Sequence, residues 1–329
     1  MKYSIILLLL IAMETKAQSP HFSQFYASPL LMNPALTGYT EGGYRVAANY
    51  RSQWGNGSSP FQTYSASAEL SPLRQKIKSG DRLGFGISIL NDKTLEGAVQ
   101  FSSVSFSSAY NISLDPDNIH TIGLGFQGVY NERLINFSKL NFETQFTSGG
   151  FDPSLPVGES LPQGKKRYFD MSAGTIYHAK MEDKTLYAGL SVYNLLKKKD
   201  VFLDPAFHLP KRFSIMAGGD IDVGESGIVS FSANHQRQGS ASETTIGSSY
   251  GYQVGDQEKN VISIGAWYRF RDAIIPYVGY HYSGVQVGFS FDYTTSALKT
   301  SGQARNGFEL SMVYTAPDRS EMRRLVPWY

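Results

Sequence analysis

The sequence predicts an all-β protein, a transmembrane antiparallel β-barrel of about fourteen strands that follows an N-terminal plug-like segment. Three observations support this fold class. Apolar and polar residues alternate with a period of two through most of the chain after Gly43. No segment after the amino-terminal apolar run has 18 consecutive apolar residues, so a spanning helix is not predicted there. The connections between the alternating stretches are short on one side and long on the other.

Composition narrows the choice of protein class. The 329 residues include no cysteine, 21 Tyr, 20 Phe and 32 Gly. The lack of cysteine excludes disulfides and cysteine-based metal or thiol chemistry. A formal net charge of +2 shows no electrostatic signature of nucleic-acid binding. A mean hydropathy of −0.25 is too low for a helical protein with several membrane spans, whereas many aromatic and glycine residues favour strands and turns.

Residues 1–17 are predicted to be a secretory signal peptide. Lys2 begins the segment, nine apolar residues follow from Ile5 to Met13, and Ala17 lies at the expected cleavage site. A nine-residue run is too short to cross a bilayer as a helix, which takes about 20 residues. We therefore expect the mature chain to begin at Gln18 outside the cytoplasm. The alternative is that the run forms a buried core helix.

The barrel is predicted over residues 43–315, with a C-terminal tail at 316–329. Its pattern is clearest in 285–293, where Val287, Phe289 and Phe291 alternate with small or polar residues. Many of the alternating stretches are long enough to cross a bilayer at a tilt, which takes about 9–11 residues. The predicted strands are 43–54, 60–70, 81–91, 97–112, 118–131, 166–180, 184–195, 210–222, 226–237, 241–253, 259–271, 273–283, 284–295 and 306–315.

The lengths of the connections predict the orientation of the barrel. Counted from the first strand, even connections such as 115–117 and 181–183 are short, whereas the long ones at 132–165 and 196–209 are odd. Transmembrane barrels have short periplasmic turns and long outer loops. The odd connections are therefore expected to face outward. The even connection at 71–80 and the tight odd turn at Arg271–Asp272 depart from this rule.

A soluble β-sandwich is the alternative, because sandwich strands also alternate. Its polar face would carry many Lys and Glu residues, whereas here the second face is mainly Gly, Ser and Gln with isolated charges, as expected of a barrel lumen. A shift of parity between Phe101 and Val104 predicts a β-bulge. Aromatic residues near strand ends predict girdles at the two membrane interfaces; they are Tyr50, Trp54, Tyr110, Tyr130, Trp267, Tyr280 and Tyr293.

Residues 18–42 precede the first strand and are rich in large apolar side chains. We expect this segment to fold into or against the barrel as a plug, because a fourteen-stranded lumen would otherwise leak. Pro29 and Pro34 favour an irregular path. The alternative is a disordered tether. The residues expected to form the plug or an interaction segment are Phe22, Gln24, Phe25, Pro29, Asn33, Pro34 and Gly38.

The aromatic, proline-containing segment 136–162 is the first choice for a partner-binding surface, because connections of this length tend to be functional or disordered. Phe142, Phe146, Phe151 and Asp152 are its candidate contacts. The basic runs at 165–167 and 197–199 lie beside the predicted outer loops. They form either a solvated face or a contact for anionic lipid headgroups, surface glycan or an acidic domain of a partner.

Several short motifs occur in an order and spacing that resemble one family. The mature chain opens with His21-Phe22-Ser23-Gln24-Phe25, and Asn33-Pro34-Ala35-Leu36-Thr37-Gly38 follows. This opening resembles the start of the PorP/SprF family of the Bacteroidetes type IX secretion system. Segments 145–152, 169–194, 209–218 and 307–311 continue the likeness. Family members often end in a short motif that contains cysteine, whereas this chain ends in Val326-Pro327-Trp328-Tyr329.

The resemblance implies an outer-membrane barrel in a Gram-negative, Bacteroidetes-like envelope that supports secretion or surface anchoring of a large cargo protein or adhesin, including gliding adhesins. Its implied partners are type IX machine components, such a cargo adhesin, and outer-membrane lipid. One branch of the family anchors the machine in the envelope and another serves particular cargo; a cargo-dedicated protein is expected here. The alternative function is an outer-membrane porin or a channel for hydrophobic solutes.

No catalytic, cofactor-binding or metal-binding residue is predicted. The six histidines show no zinc-protease spacing, and the sequence has neither a nucleophile elbow nor a phosphate-binding loop. His235 and His281, which lie within predicted strands, are interpreted as structural residues. We therefore expect a protein without enzymatic activity. A barrel hydrolase, whose catalytic pair meets only in space, is the remaining alternative.

Overall fold

The structure is a computed structural model that describes residues 22–40, 42–54, 60–72, 77, 80–152, 154–156, 164–196, 209–254, 260–296 and 306–316. The predicted signal peptide, the basic run at 197–199 and the predicted tail beyond Ala316 lie outside the described residues. None of the helices in the described ranges is long and apolar enough to span a bilayer.

Fourteen antiparallel strands close into one barrel, with the first strand paired to the last. This confirms the predicted fold class, and each predicted strand overlaps one observed strand. The barrel strands are β1 (Tyr44–Gln53), β2 (Phe61–Leu70), β3 (Arg82–Thr94), β4 (Val99–Ser113), β5 (His120–Ile135), β8 (Lys165–Lys180), β9 (Lys184–Tyr193), β10 (Arg212–Val223), β11 (Gly227–Gln238), β12 (Ala241–Gln253), β13 (Asn260–Arg269), β14 (Ala273–Tyr282), β15 (Val285–Thr294) and β16 (Gly307–Thr315); β6 (Phe146–Thr147) and β7 (Gly150–Phe151) form a separate hairpin.

The alternation of residue types becomes two faces of the barrel wall. In β15, Val287, Phe289 and Phe291 are exposed on the outer surface, whereas Gln286 and Ser290 are buried on the lumen side. The closed sheet excludes the sandwich alternative, since all fourteen strands pair around one cylinder. An apolar outer surface and a polar interior are what a β-barrel needs in order to lie in a bilayer.

One predicted girdle residue, Trp267, is on the wrong face. Its side chain is buried in the lumen, and its indole Nε1 donates a hydrogen bond to Ser232 Oγ at 2.9 Å. The ring lies 4.9 Å from that of Tyr26, which belongs to the N-terminal segment. Trp267 was placed in the girdle because it is near a strand end, but the strand parity puts it between Ala266 and Tyr268, which face outward.

The predicted bulge between Phe101 and Val104 is also wrong. Pairing of β4 with β3 and β5 continues without a break through Ser102, Ser103 and Val104. Phe101 lies on the lumen side of β4 although it is apolar. There its ring contacts the guanidinium of Arg133, which lies 5.9 Å from the ring centroid. A cation–π contact, rather than an extra residue, explains the irregular pattern.

The barrel has two unlike ends, which we name by their connections. The turn end carries the connections 71–81, 114–119, 181–183, 224–226, 254–259 and 283–284, and the loop end carries the others. At the loop end, the wall formed by β3, β4, β5 and β8 is the taller one. Residues 165–172 of β8 lie beyond the last residue pair with β9, and the β6–β7 hairpin lies in the loop that joins β5 to β8.

Candidate functional site

The N-terminal segment 22–40, here called the plug, lies inside the lumen. It makes three single turns of helix, at Phe25–Ala27, Pro29–Met32 and Pro34–Leu36. Pro29 and Pro34 each stand at a helix start, where a missing N–H costs nothing. Except for Leu31, Met32 and Tyr39, its residues are buried. A chain that alternates short turns with prolines can therefore fill a lumen without a long helix.

The first plug residues are tied to charged side chains at the loop end of the lumen. The backbone N–H groups of Ser23 and Gln24 donate to the two carboxylate oxygens of Glu309, at 2.7 and 2.9 Å. The Ser23 hydroxyl donates to Asp292 at 2.7 Å. Gln24 also bonds Ser290 and Ser311, and so holds β15 and β16 together through one amide.

Two arginines balance these carboxylates. Arg51 Nη2 lies 2.7 Å from Asp292 Oδ2, and Arg269 Nη2 lies 3.1 Å from the same oxygen. Arg269 Nη2 also donates to the Ser23 hydroxyl oxygen at 2.5 Å. All four charged side chains are buried, and a buried charge is tolerated only when it is paired and hydrogen-bonded. We call Arg51, Arg269, Asp292 and Glu309 the loop-end clamp.

Asn33 holds the middle of the plug against the opposite wall. Its side-chain oxygen accepts a hydrogen bond from Ala35 N at 2.9 Å, and its amide nitrogen donates to the backbone oxygens of Thr175 and Leu190. The amide fits there because the wall carries glycine: a Cβ on Gly174 would lie 2.0 Å from the Asn33 oxygen. The side chain thus contacts the backbone of β8 and β9 directly.

The last plug residues are tied at the turn end. Gly38 N donates to Glu69 at 2.6 Å, and Glu69 in turn pairs with Arg45 at 2.7 Å. Arg82 donates to the Thr40 oxygen at 2.7 Å. Because the clamp residues lie near the loop-end termini of their strands and Glu69 lies near the turn-end terminus of β2, the plug crosses the lumen from one end to the other.

The plug and the wall approach at backbone distance where both carry glycine. Gly38 has φ +70°, a conformation that favours glycine. A Cβ on Gly38 would lie 2.3 Å from the Gly84 Cα, so neither position has room for a side chain. The small residues on the lumen face of the wall therefore make room for this segment.

Two cavities between the plug and the wall are small. One lies toward the loop end, is lined by Phe22, Leu31, Arg212 and Gln236 among others, and has a volume of about 20 Å³. A space of that size holds one or two water molecules. The other has a volume of about 10 Å³ and lies between Tyr26, Trp267 and Ser230. At these two places the plug and the wall leave no room for a solute larger than water.

The loop-end hairpin carries the predicted outer-loop residues. Phe146 and Phe151 face each other across β6 and β7 with ring centroids 5.2 Å apart, and both are exposed. Phe142, in the same loop, is half-buried. The Ser154 hydroxyl and backbone N–H donate to Asp152 at 2.6 and 2.9 Å and hold the pKa of this carboxyl below its usual value.

The predicted site residues therefore fall into two separate groups. Those between Phe22 and Gly38 converge inside the lumen, whereas the four loop residues lie at or near the surface of the loop end. Sequence analysis missed the clamp, in which Arg51 lies more than 200 residues from the other three members. Their signal was present, because each is a charged residue at a lumen-side position of a strand whose other face is apolar.

A model of the family described as type IX secretion system membrane protein PorP/SprF matches residues 14–314. The match includes the plug, the wall and the loop-end hairpin. Among curated proteins, none resembles the chain closely enough to count as a relative.

Several solved outer-membrane barrels share the fold. The toluene transporter TbuX of Ralstonia pickettii aligns over 88% of this chain and 93% of its own, with a TM-score of 0.54 and 11% identity. The toluene transporter TodX of P. putida aligns over 88% and 94%, with a TM-score of 0.51 and 8% identity. At such low identity the likeness extends to the fold alone.

Proposed function

This chain belongs to the PorP/SprF family of type IX secretion system membrane proteins, and on that premise we propose that it helps to secrete a large protein, such as an adhesin, or to anchor it at the cell surface. The chain is an outer-membrane β-barrel component of that system. The proposal concerns what this particular barrel does there: it binds one cargo protein, or a small set of them, and catalyses no reaction.

The observation that carries the proposal is the plugged lumen. The plug is tied at both ends and crosses the barrel, and the two cavities described beside it hold only water-sized spaces. A porin or a solute channel needs an open path, so this arrangement favours a scaffold over a transporter. Binding is then expected on the rigid frame's loops, as in many proteins.

The loop-end hairpin is the contact that we propose for the cargo. Phe146 and Phe151 expose two adjacent rings on a short hairpin above the tall wall. Aromatic side chains are enriched at binding interfaces, because they bury a large area at a small cost in entropy. Barrels of this class carry their long loops outside, and this supports the proposal that the rings lie on the cell exterior.

The proposal is tested by deleting the gene and complementing it with the natural chain or with Phe146→Ser/Phe151→Ser. We expect deletion to remove a few large proteins from the surface or the medium, as measured by quantitative mass spectrometry of both fractions. The double variant should restore them poorly at equal barrel abundance. Ser148→Ala, in the same hairpin but without a ring, is the matched control and should restore them fully.

Two other outcomes would contradict the finer part of the proposal. Loss of every type IX substrate would indicate a barrel that anchors the machine rather than one that serves particular cargo. Unchanged secretion together with reduced uptake of a solute would indicate a channel instead.

A further inference from the structure

The outer surface of the tall wall changes from apolar to mainly polar residues toward the loop end. Strand register places outward-facing residues in rows across β3, β4, β5 and β8. The row Ile89, Val104, Tyr130 and Phe169 is apolar and exposed. The next row toward the loop end is Asn91, Ser102, Glu132 and Arg167, and the row after it is Lys93, Gln100, Leu134 and Lys165. We name these last two rows the polar panel.

Strands β13, β14 and β15, on the other side of the barrel, show no such step among their described residues. There, outward-facing apolar and aromatic residues continue to the strand ends: Tyr268 pairs with Ile274, and Ile274 pairs with Tyr293. All three are exposed. Outward polar residues also occur at the loop end of β11 and β12, where Arg237 pairs with Ser242, but the apolar surface of β13–β15 keeps the polar panel from continuing as a ring around the barrel.

The panel lies at the level of the lipid headgroups. Tyr130 and Phe169 form a directly paired aromatic row, and aromatic rings of membrane proteins gather at the interface. On β8, Arg167 lies two residues closer to the loop end than Phe169, which is about 6.6 Å at the rise of a strand. The headgroup layer is roughly 5–8 Å thick on each side of the hydrocarbon. Arg167 thus lies at the depth of the headgroups, and the long side chain of Lys165, two residues nearer the loop end, can extend back to them.

The panel carries more cationic side chains than carboxylates. Lys93, Lys165 and Arg167 face a single carboxylate, that of Glu132, which lies 3.0 Å from Lys165 Nζ and 2.7 Å from Arg167 Nε. Among the described residues, Glu132 accepts from Nε of Arg167, which leaves both Nη groups available to a further acceptor. A guanidinium with two parallel N–H groups suits a phosphate, which it binds in bidentate geometry.

We infer that the polar panel binds the phosphate-bearing headgroup of an outer-leaflet lipid, with Arg167 and Lys165 as the main contacts and Lys93 as a third cation. The outward direction of these side chains favours a lipid over a cargo domain above the barrel mouth. It also gives the taller wall a role: the panel orients the barrel in the leaflet next to the loop that carries the β6–β7 hairpin. The inference rests on the outer-membrane location and not on the identity of the cargo.

The test uses the full barrel in detergent with two probes, lipid A carrying its phosphates and the same lipid A after dephosphorylation. Native mass spectrometry measures the fraction of barrel that retains lipid. We expect the phosphorylated lipid to bind roughly tenfold more tightly. Lys165→Gln/Arg167→Gln should abolish most of this preference, whereas Glu132→Gln should increase it, because it removes the carboxylate that competes with phosphate.

Arg237→Gln is the matched control, because Arg237 is also an exposed arginine at the loop end but lies on β11, away from the panel. It should change retention less than twofold. Equal binding of the two lipids, or equal losses in the double variant and the control, would overturn the inference. Full displacement of the lipid by millimolar inorganic phosphate would also overturn it, since the site would then bind free phosphate rather than a headgroup.

Discussion

The plug and the loop-end hairpin are both aromatic segments outside the fourteen strands, yet their rings have opposite surroundings. Phe25 of the plug is 3% exposed, whereas Phe146 of the hairpin is 58% exposed. The plug meets hydrogen-bonding groups from strands on several sides of a closed lumen, whereas the hairpin belongs to the loop between β5 and β8 and its rings are exposed. The difference shows that residue type alone does not decide whether an aromatic segment is buried as a plug or exposed on a loop. Enclosure by the barrel decides it.

Among the variants that separate the plug from the hairpin, removal of the plug should have the largest effect. Deletion of residues 22–40 empties a lumen that fourteen strands make wider than their own side chains can fill. Single-channel conductance in planar bilayers should rise roughly tenfold or more over the natural chain. Deletion of 142–152 from the loop is the control and should leave conductance unchanged. An unchanged conductance after loss of the plug would mean that the plug does not close the barrel.

Loss of one arginine of the loop-end clamp should have the second-largest effect. Arg51→Met leaves Asp292 and Glu309 with a single buried arginine, and an unbalanced buried charge costs about 3–5 kcal/mol. The free energy of unfolding in urea, measured in lipid vesicles, should fall by that amount. Arg51→Met/Glu309→Gln also removes the carboxylate that lies beside Arg51 and leaves Asp292 paired with Arg269, so it should recover part of the loss. Equal costs for the single and double variants would refute a role for charge balance.

Asn33→Asp should cost less, about 1–3 kcal/mol. The substitution keeps the shape of the side chain but replaces its two N–H donors by an oxygen that faces the carbonyls of Thr175 and Leu190. Asn33→Ala removes the donors without adding repulsion and should be milder in the same unfolding assay. If Ala proved the more harmful, packing rather than hydrogen bonding would hold the plug at this point.

The smallest change in stability is expected in the hairpin. Phe146→Ser/Phe151→Ser alters only exposed rings, so the free energy of unfolding should stay within about 0.5 kcal/mol of the natural chain. The same variant is expected to impair cargo display, and the two measurements together separate a binding surface from a structural one. A large loss of stability would show that the rings pack against something essential.

Much of the wall was predictable because the signal is local. A strand shows its two faces within a few residues, so the alternation around Val287 and Phe289 gave both the existence and the facing of β15. Predictions based on proximity to a strand end failed at Trp267, where the parity of β13 turned the ring toward Tyr26. The bulge predicted near Phe101 failed for a related reason, since Arg133 on the neighbouring strand supplies a polar partner that no short window of sequence contains.

The alternation of residues along the chain was sufficient for the number of strands, their facing and the short turns at one end, because the period of a strand depends only on neighbouring residues. Closure of the sheet decided which residues far apart in the sequence lie next to each other. It brought Ser23 beside Asp292 and Glu309, and it aligned the residues of the polar panel across four strands of the tall wall. Those pairings depend on strand register around the whole cylinder, and register is a property of all fourteen strands at once.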